Sequence, residues 1–332
     1  MVSVVVPTYN YSDYVAEAVQ SVFAQTYRHI EIVGVDDGSS DDSLERLQEL
    51  QAVSPFPMRV LGSGHRGVSG AMNVGLGDAQ GDLISILHAD DRYAPTKVEA
   101  QVALFMEDPA PVLVHCEYQA IDAGGAALAG IDSSLDPRPA QGDALRDILL
   151  LRADVRSMTM MYRRDVMVAL GGYDEGLPSE DWQSILRLCR VGPIGHVPRR
   201  LVDRRVHQRN LSITLYRGEF SSTEAAPAVI AEVAPPDMDI ESLIGRHIGT
   251  VVRNSLAECN IAKATAGLRV GWREHPRGRL ALLKTAAPGL VSLAWTQLRR
   301  VLPPRAITWV RRLKYRILGV RSRWNGEGSA HT

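Results

Sequence analysis

The sequence predicts an α/β protein in which a mostly parallel, Rossmann-like sheet is covered by helices on both faces. Three observations support this fold class. Short β-branched or apolar runs alternate with longer segments whose apolar residues recur at helical spacing. The alternation reads β-α-β-α-β-α-β from Val2 to His88, which is typical of strands joined by crossover helices. The strand runs are almost continuously apolar, as expected for strands buried on both faces.

Local patterns place each element of this alternation. Val2 to Val6 is β-branched apart from Ser3 and ends at Pro7, which predicts a buried strand followed by a loop. Ser12 and Asp13 are the expected N-caps of the first helix. The predicted strands cover 2–6, 30–35, 58–61 and 83–88, and the predicted helices cover 12–25, 44–50 and 71–79.

Beyond residue 90 the pattern is less regular. The turn Asp122-Ala-Gly-Gly125 between two apolar runs predicts a hairpin over 118–131. The polar, proline-containing stretch 132–141 is expected to be a mobile loop. Further helices are predicted over 95–106, 143–151 and 164–170, with strands over 112–116 and 157–162.

Composition places the chain among soluble globular proteins, since 45% of its 332 residues are hydrophobic and 23% are charged. No apolar run reaches the ~18 residues of a membrane span. A strand pattern begins directly after Met1, so no secretory leader is expected. Three widely spaced cysteines show no metal-ligand spacing and favour a reducing cytosol.

Charge is unevenly distributed along the chain. Between Lys263 and Arg323 there are fifteen Lys and Arg and one acid, Glu274, so this segment carries +14 and the remainder carries −15. Trp295, Trp309 and several leucines alternate with these cations, and prolines divide the stretch into short predicted helices. Such helices fit an anionic membrane surface. The alternatives are an ordinary packed helical domain or an oligomer contact, and 326–332 are expected to be disordered.

Two carboxylates, Asp90 and Asp91, follow the fourth predicted strand. Ligands of open α/β sheets bind beyond the carboxyl ends of strands, and adjacent carboxylates repel each other unless a cation lies between them. Mg²⁺ and Mn²⁺ prefer oxygen ligands, and Mg²⁺ commonly shares its shell with substrate phosphates. The stretch therefore fits a metal–diphosphate site, and it fits equally an acidic turn capping the helix that begins near Pro95.

Four sequence blocks lie in order at predicted strand ends or helix starts: Val2-Ser-Val-Val-Val-Pro-Thr-Tyr-Asn10, Val33-Gly-Val-Asp-Asp-Gly-Ser-Ser-Asp41, Gly67-Val-Ser-Gly-Ala-Met-Asn-Val-Gly75 and Leu87-His-Ala-Asp-Asp91. Their order and spacing resemble the family 2 glycosyltransferases, which have the glycosyltransferase A fold. The resemblance covers about residues 1–215. It implies a nucleotide-sugar-binding catalytic domain over 1–218, followed by a helical, basic C-terminal extension over 219–332.

The resemblance also implies donor-binding residues. Asp36 and Asp37 lie where the family holds the nucleobase and ribose, and carboxylates accept hydrogen bonds from base N–H and ribose hydroxyl groups. The alternative is a turn that caps the next helix. The family's Ala-Arg-Asn is Ala71-Met72-Asn73 here, so its arginine is missing. The implied donor residues are Pro7, Thr8, Tyr9, Asp36, Asp37, Gly67, Asn73, His88, Ala89 and Asp90.

The implied cofactor is a divalent metal, Mn²⁺ or Mg²⁺, held by Asp90, Asp91 and His207. His88 stands where the family commonly has an aspartate. It could ligate a transition metal, bind the donor sugar or be a satisfied histidine beneath the site, and an imidazole ligand would favour Mn²⁺. In the segment around His207, Arg205 or Arg209 would neutralise the diphosphate, and a solvated basic turn is the alternative.

The implied catalytic residues are Asp181 and Glu180, which follow the N-cap Ser179 in the first turn of a predicted helix. Carboxylates there also stabilise a helix start without any catalytic role. In the resemblance Asp181 deprotonates the acceptor hydroxyl, and Glu180 positions the acceptor or a nearby loop. A single displacement with one base inverts the anomeric carbon.

The predicted function is therefore metal-dependent, inverting transfer from a nucleoside diphosphate sugar, UDP-sugar first, to a glycan or lipid-linked acceptor in cell-surface polysaccharide or glycolipid biosynthesis. The expected location is cytoplasmic, and the basic tail would bind the inner face of the cell membrane. A homo-oligomer is a further possibility, and no nucleic-acid partner is expected. The alternative is a catalytically inactive nucleotide-binding or regulatory protein, for which His88 and Met72 would be the evidence.

Overall fold

The structure is a computed structural model that describes residues 1–132, 138–176, 180–210, 222–257, 276–278, 281–282 and 285–286. The chain divides into two compact units. One comprises Met1–Ser221 with Ala231–Pro236, and the other comprises Ser222–Ile230 with Asp237–Thr332. The domain boundary near residue 218 stays a prediction.

Helices and strands alternate from β1 to β4, as the sequence predicts. The strands are β1 (Val2–Thr8), β2 (Ile30–Asp36), β3 (Met58–Gly62), β4 (Leu83–Ile86), β5 (Arg92–Tyr93), β6 (Leu113–Ile121), β7 (Ala127–Asp132), β8 (Arg138–Pro139), β9 (Ala153–Asp154), β10 (Met161–Arg163) and β11 (Ile194–Arg205). The α-helices are α1 (Val15–Phe23), α2 (Ser43–Val53), α3 (Gly67–Asp78), α4 (Lys97–Glu107), α5 (Leu145–Leu149), α6 (Arg164–Ala169), α7 (Glu180–Val191), α8 (Ser222–Val233) and α9 (Ile240–Ala257).

Within the described residues, nine strands form one sheet in the order β3-β2-β1-β4-β10-β6-β11-β5, with β7 paired to β6. The strands β3, β2, β1 and β4 are mutually parallel, as predicted. The second half is mixed: β11 runs parallel to β6, whereas β10, β5 and β7 are antiparallel to their neighbours. The α/β fold class is confirmed, and parallel pairing dominates only in the first half.

Alternate residues of β1 face opposite layers of helices, because successive side chains of a strand point to opposite faces. Val4 and Val6 belong to the core cluster that includes the buried face of α1. Val5 faces α3 instead, where a Cβ on Gly75 would lie 2.3 Å from a Val5 methyl carbon. Helices therefore cover both faces of this part of the sheet, and Gly75 lets α3 approach closely.

Two local predictions are wrong. Ser12 and Asp13 do not cap α1, which begins at Val15 without a side-chain cap. The Ser12 backbone N–H instead donates to Asp41. The strand predicted over 157–162 is a 3₁₀ turn at Ser157–Thr159 followed by β10, which enters the sheet between β4 and β6.

Helix α9 lies in the C-terminal extension, which is predicted to be helical. Its buried residues repeat at helical spacing and include Leu243, Ile244 and Ile248, whereas Ile240 is exposed. Most of the basic segment 263–323 and all of 326–332 lie outside the described residues, so the predicted membrane-binding helices stay a prediction. No helix in the described ranges is both long enough and apolar enough to cross a membrane.

Candidate functional site

The candidate site lies at the carboxyl ends of three neighbouring parallel strands. Thr8, the last residue of β1, is in register with Asp36, the last residue of β2. On the other side of β1, β4 leads directly into His88, Asp90 and Asp91. The fold therefore brings the predicted base-binding and metal-binding blocks to one edge of the sheet, which is where ligands of open α/β sheets bind.

One carboxylate oxygen of Asp36 accepts hydrogen bonds, and the other has no hydrogen-bond partner among the described residues. Its Oδ2 accepts hydrogen bonds from the backbone N–H groups of Gly38 and Ser39, both at 3.0 Å. Its Oδ1 is buried and has no hydrogen-bond partner among the described residues. Because buried polar atoms are almost always paired, this oxygen is a strong candidate to accept a hydrogen bond from a ligand.

Asp37, the next residue, is occupied by its own chain. Its Oδ1 accepts the Arg66 N–H at 2.7 Å and the Ser63 hydroxyl, and its Oδ2 accepts the Gly67 N–H at 2.8 Å. Gly67 has a φ of +77°, which favours glycine at this position. Asp37 thus anchors the loop before α3 and does not cap the next helix, α2, whereas the hydrogen bonds of Asp36 to Gly38 and Ser39 are those of a local turn.

The end of β1 presents an aromatic ring at this edge. Pro7 is half-buried and Thr8 is buried, with its hydroxyl donating to the Val6 carbonyl at 3.3 Å. Tyr9 is 44% exposed, and its ring centroid lies 5.1 Å from that of His65. These two rings are accessible flat surfaces beside Asp36 and could pack against a nucleobase.

His88, Asp90 and Asp91 form a group that fits a divalent cation. One ligand atom from each lies within 4.8 Å of the others, and Ala89 is buried between them. Burial raises the pKa of the Asp91 carboxyl well above its usual range, and the neighbouring Asp90 carboxylate raises it further. Two neighbouring buried carboxylates are stabilised as anions by a cation, so the donor set and its electrostatics fit a metal ion.

The segment after β11 closes over Asp90. Its Oδ2 lies 3.0 Å from His207 Nε2 and accepts a hydrogen bond from Asn210 Nδ2 at 2.8 Å. The Arg205 N–H donates to Asp91 Oδ1 at 2.8 Å. His207 therefore contacts a carboxylate of the candidate metal group, and its role as a direct ligand stays a prediction. Asn210 was not singled out from the sequence, because an isolated asparagine gives no signal.

Arg205 contacts residues of the site through hydrogen bonds and an ion pair. Its side chain is almost fully buried, and Nε donates to the Asp90 carbonyl at 2.9 Å. Its guanidinium also pairs with Glu17, which in turn pairs with Arg92 at 2.6 Å. This placement leaves Arg205 poorly suited to neutralise a diphosphate. Arg209 is more exposed, and it forms an ion pair with Asp13.

The predicted catalytic residues lie at the start of α7, with Glu180 as its first residue. Asp181 is half-buried, and its Oδ1 accepts the Trp182 N–H at 2.7 Å. The carboxyl of Asp154 has a raised pKa, mainly from burial, and the Asp181 carboxylate contributes to that rise. Asp154 is thus a second acid near Asp181, and no motif in the sequence indicated it. Ser179 and the Glu180 side chain lie outside the described residues.

Asn73 faces the segment that precedes α7. Its Nδ2 donates to the Tyr173 carbonyl at 2.8 Å and to Glu175 Oε1 at 2.9 Å, and its Oδ1 accepts the Tyr173 N–H at 2.8 Å. Both amide hydrogens are therefore used inside the protein. Donor binding by Asn73 stays a prediction, and its visible role is structural.

Comparison with known proteins agrees with this architecture. Residues 3–168 match the family model described as glycosyl transferase family 2. An uncharacterized glycosyltransferase of Nostoc sp. is 34% identical over 149 residues, which cover 45% of this chain and 44% of that protein. The matched stretch is thus less than half of that relative's length.

Two solved structures share the fold. Staphylococcus aureus TarS 1–349 in complex with UDP-GlcNAc has a TM-score of 0.63 at 18% identity, covering 95% of this chain and 89% of TarS. The mannosyltransferase PcManGT from Pyrobaculum calidifontis, in complex with GDP-Man and Mn²⁺, has a TM-score of 0.57 at 16% identity, covering 96% and 80%. Because the family model matches half of the chain, this protein belongs to glycosyl transferase family 2.

Proposed function

We propose that the chain transfers a sugar from a UDP-sugar to an acceptor hydroxyl with inversion at the anomeric carbon. The observation that carries this proposal is the buried, unpartnered Oδ1 of Asp36 at the same sheet edge as His88, Asp90 and Asp91. An ionised carboxylate only accepts hydrogen bonds. It therefore suits a base that presents a ring N–H, as uracil and guanine do, and disfavours cytosine, whose corresponding ring nitrogen is an acceptor.

His88, Asp90 and Asp91 would hold the metal ion, which when bound acts as a Lewis acid toward the leaving diphosphate. The mixed nitrogen and oxygen donor set favours Mn²⁺ over Mg²⁺. PcManGT, whose structure contains GDP-Man and Mn²⁺, has the same fold and supports this choice. His207 and Asn210 contact Asp90 Oδ2 and would hold this carboxylate in position.

Asp181 is the proposed general base. It lies in the first turn of α7, where negatively charged side chains interact favourably with the positive end of the helix dipole. It would accept the proton of the acceptor hydroxyl as that oxygen attacks the anomeric carbon from the face opposite the diphosphate. A single attack of this kind inverts the anomeric carbon without a covalent glycosyl-enzyme.

Isothermal titration calorimetry with UDP, GDP and CDP, each with and without Mn²⁺, tests the donor proposal. We expect the tightest binding for UDP with Mn²⁺ and the weakest for CDP. Asp36→Asn should narrow the preference for UDP over CDP, because an amide can donate as well as accept. Equal affinity for UDP and CDP, or binding that ignores Mn²⁺, would contradict the site proposed here.

Asp181→Asn tests the base. Removing a general base costs ~10²–10⁴ in rate, so we expect that loss in UDP release from a UDP-sugar, with UDP affinity within a few-fold of wild type. Unchanged turnover would assign the base elsewhere, with Glu180 examined next. The inactive alternative predicts no UDP release from any UDP-sugar, even with Mn²⁺ present. The polysaccharide or glycolipid acceptor and the membrane contact stay predictions.

A further inference from the structure

The segment Gly171–Gly176 connects two parts of the candidate site. On one side Tyr173 and Glu175 contact Asn73 of α3 through three hydrogen bonds of 2.8–2.9 Å. On the other side the Gly172 carbonyl accepts a hydrogen bond from Arg187 of α7 at 3.3 Å. Gly172 has a φ of +74°, and a Cβ there would lie 2.6 Å from Asn73 Oδ1. The segment is therefore tied both to α3 and to the helix that carries Asp181.

Arg66 adds a charged contact to the same segment. Its Nη2 lies 2.6 Å from Glu175 Oε1, and its Nε lies 3.2 Å from Glu175 Oε2, a two-point pairing of guanidinium and carboxylate. Gly70 leaves room for this pair, because a Cβ there would approach Glu175 Oε2 to 3.4 Å and collide with the Arg66 side chain. The geometry of α3 thus accommodates the Arg66–Glu175 pair.

The backbone of Arg66 is fixed at the donor edge. Its N–H donates to Asp37 at 2.7 Å, and Asp37 directly follows Asp36, whose free oxygen faces the proposed base site. Glu175 precedes Asp181 by six residues. A continuous set of contacts therefore runs from the proposed donor site, through Arg66 and Glu175, to the segment that leads into α7.

We infer that Arg66, Asn73 and Glu175, here called the clasp, position Asp181 relative to the donor. They are positioning residues, since the visible contacts of all three are made within the protein. The inference rests on the proposed function in one respect, namely that Asp181 is the base. Reacting groups must be aligned closely, and small misplacements are costly in rate. The clasp would fix the position of the base relative to the donor, although the two parts of the chain are about 100 residues apart in sequence.

The clasp should matter more for rate than for stability. The Arg66 and Glu175 side chains are 49% and 32% exposed, and exposed ion pairs contribute little to the free energy of unfolding. We therefore expect its loss to leave the melting temperature and the UDP affinity nearly unchanged. We expect turnover to fall roughly tenfold, because Asp181 is held less closely.

A double-mutant cycle tests the inference with Arg66→Gln, Glu175→Gln and the pair of substitutions together. For each variant we would measure UDP release from a UDP-sugar, UDP affinity with Mn²⁺, and hydrogen exchange of residues 180–191 without nucleotide. If the two residues act through each other, each single variant lowers turnover and speeds exchange, and the double variant is no worse than either one. Arg66→Lys, which keeps the charge but loses the two-point geometry, should give an intermediate turnover.

The matched control is Arg46→Gln on α2, where Arg46 pairs with Glu49 at 3.1 Å on an exposed surface. We expect wild-type turnover and exchange for this control. Wild-type turnover and exchange in both clasp single variants, or a double-variant loss equal to the product of the single losses, would overturn the inference. Failure of the proposed base is a separate result: Asp181→Asn would keep its turnover, while the exchange measurements would still report whether the clasp restrains α7.

Discussion

The same dipeptide, Asp-Asp, follows two parallel strands of the sheet and meets different surroundings. At Asp36-Asp37 the partners are four backbone N–H groups and a hydroxyl. At Asp90-Asp91 they are one backbone N–H together with His207 and Asn210 on a single oxygen of Asp90. Both pairs are buried.

The difference shows that the supply of N–H donors decides what a buried carboxylate can do. Asp37 has both oxygens satisfied and serves as an anchor for the α3 loop. Asp91 accepts one backbone hydrogen bond but lies beside Asp90, and its pKa is raised by burial and by that neighbour. Backbone donors therefore suit the first pair to hold the chain and, as proposed, to accept from a base. The raised pKa of Asp91 supports the cation proposed at the second pair.

The largest effect is expected for Asp91→Asn, which removes one of the two anionic ligands. We expect Mn²⁺ affinity to fall by more than about 100-fold. That is the largest loss typical of substitutions at residues that only orient the metal ligands, and Asp91 would be a ligand itself. Electron paramagnetic resonance titration of free Mn²⁺ measures this without any substrate. Asp37→Asn is the control and should bind Mn²⁺ nearly as wild type. Equal losses in both variants would contradict the distinction between the two pairs.

Asp37→Ala should have the next largest effect, and on stability. The Ser63 hydroxyl and the N–H groups of Arg66 and Gly67 would lose an ionised acceptor. Hydrogen bonds to charged groups contribute ~1.5–3 kcal/mol each, so we expect the free energy of unfolding to fall by about 3 kcal/mol or more. Urea denaturation measures it. Asp42→Ala, at an exposed position without a side-chain cap, should change it far less.

Asn210→Ala tests whether the partners of Asp90 support metal binding at the Asp90-Asp91 pair. It removes the 2.8 Å hydrogen bond to Asp90 and the acceptor of the His207 N–H, so the carboxylate would be less well oriented. Residues that orient metal ligands typically contribute 10–100-fold in affinity, and we expect a loss in that range for Mn²⁺. The neighbouring exposed Gln208→Ala is the control. A wild-type Mn²⁺ affinity in Asn210→Ala would show that the segment after β11 does not support the metal site.

Lys97 extends the comparison from buried carboxylates to a buried cation. Its effect on the free energy of unfolding over one pH unit is the smallest change predicted here. Its Nζ donates to Ser85 at 2.5 Å and lies 3.9 Å from the centre of the Tyr93 ring, and no carboxylate among the described residues pairs with it. Burial lowers the pKa of Lys97 to about 7. Between that value and the usual lysine pKa near 10.5, the unfolded chain binds more protons than the folded one.

The free energy of unfolding should therefore rise with pH between about 7 and 10.5, with a contribution from Lys97 near 1.4 kcal/mol per pH unit. Lys97→Met should remove this contribution. Urea denaturation of both proteins at pH 7, 8.5 and 10 measures the difference in slope. Parallel pH dependences would mean that Lys97 remains charged when buried.

Long-range contacts explain why part of the site was not predicted. The sequence predicted that Asn73 binds the donor, because it lies in a block that resembles the family. In the structure its side-chain amide forms hydrogen bonds with the backbone of Tyr173, 100 residues away. Asn210 contacts Asp90 across 120 residues, and Asp154 lies near Asp181 without any motif. Strand β10 joins the sheet between β4 and β6 as a three-residue segment, too short to show its pairing by periodicity.

The sequence by itself determined the four parallel strands, the helices between them, and the placement of Asp36 and Asp90 at one edge. These features follow from local β-branched runs, helical spacing and the rule that parallel strands end together. The tertiary structure decided which oxygens of Asp37, Asp90 and Asp91 were already satisfied, because their partners come from residues 63–67 and 205–210. Hydrogen-bond satisfaction is a property of the packed chain, so roles that depend on it were not visible in any single motif.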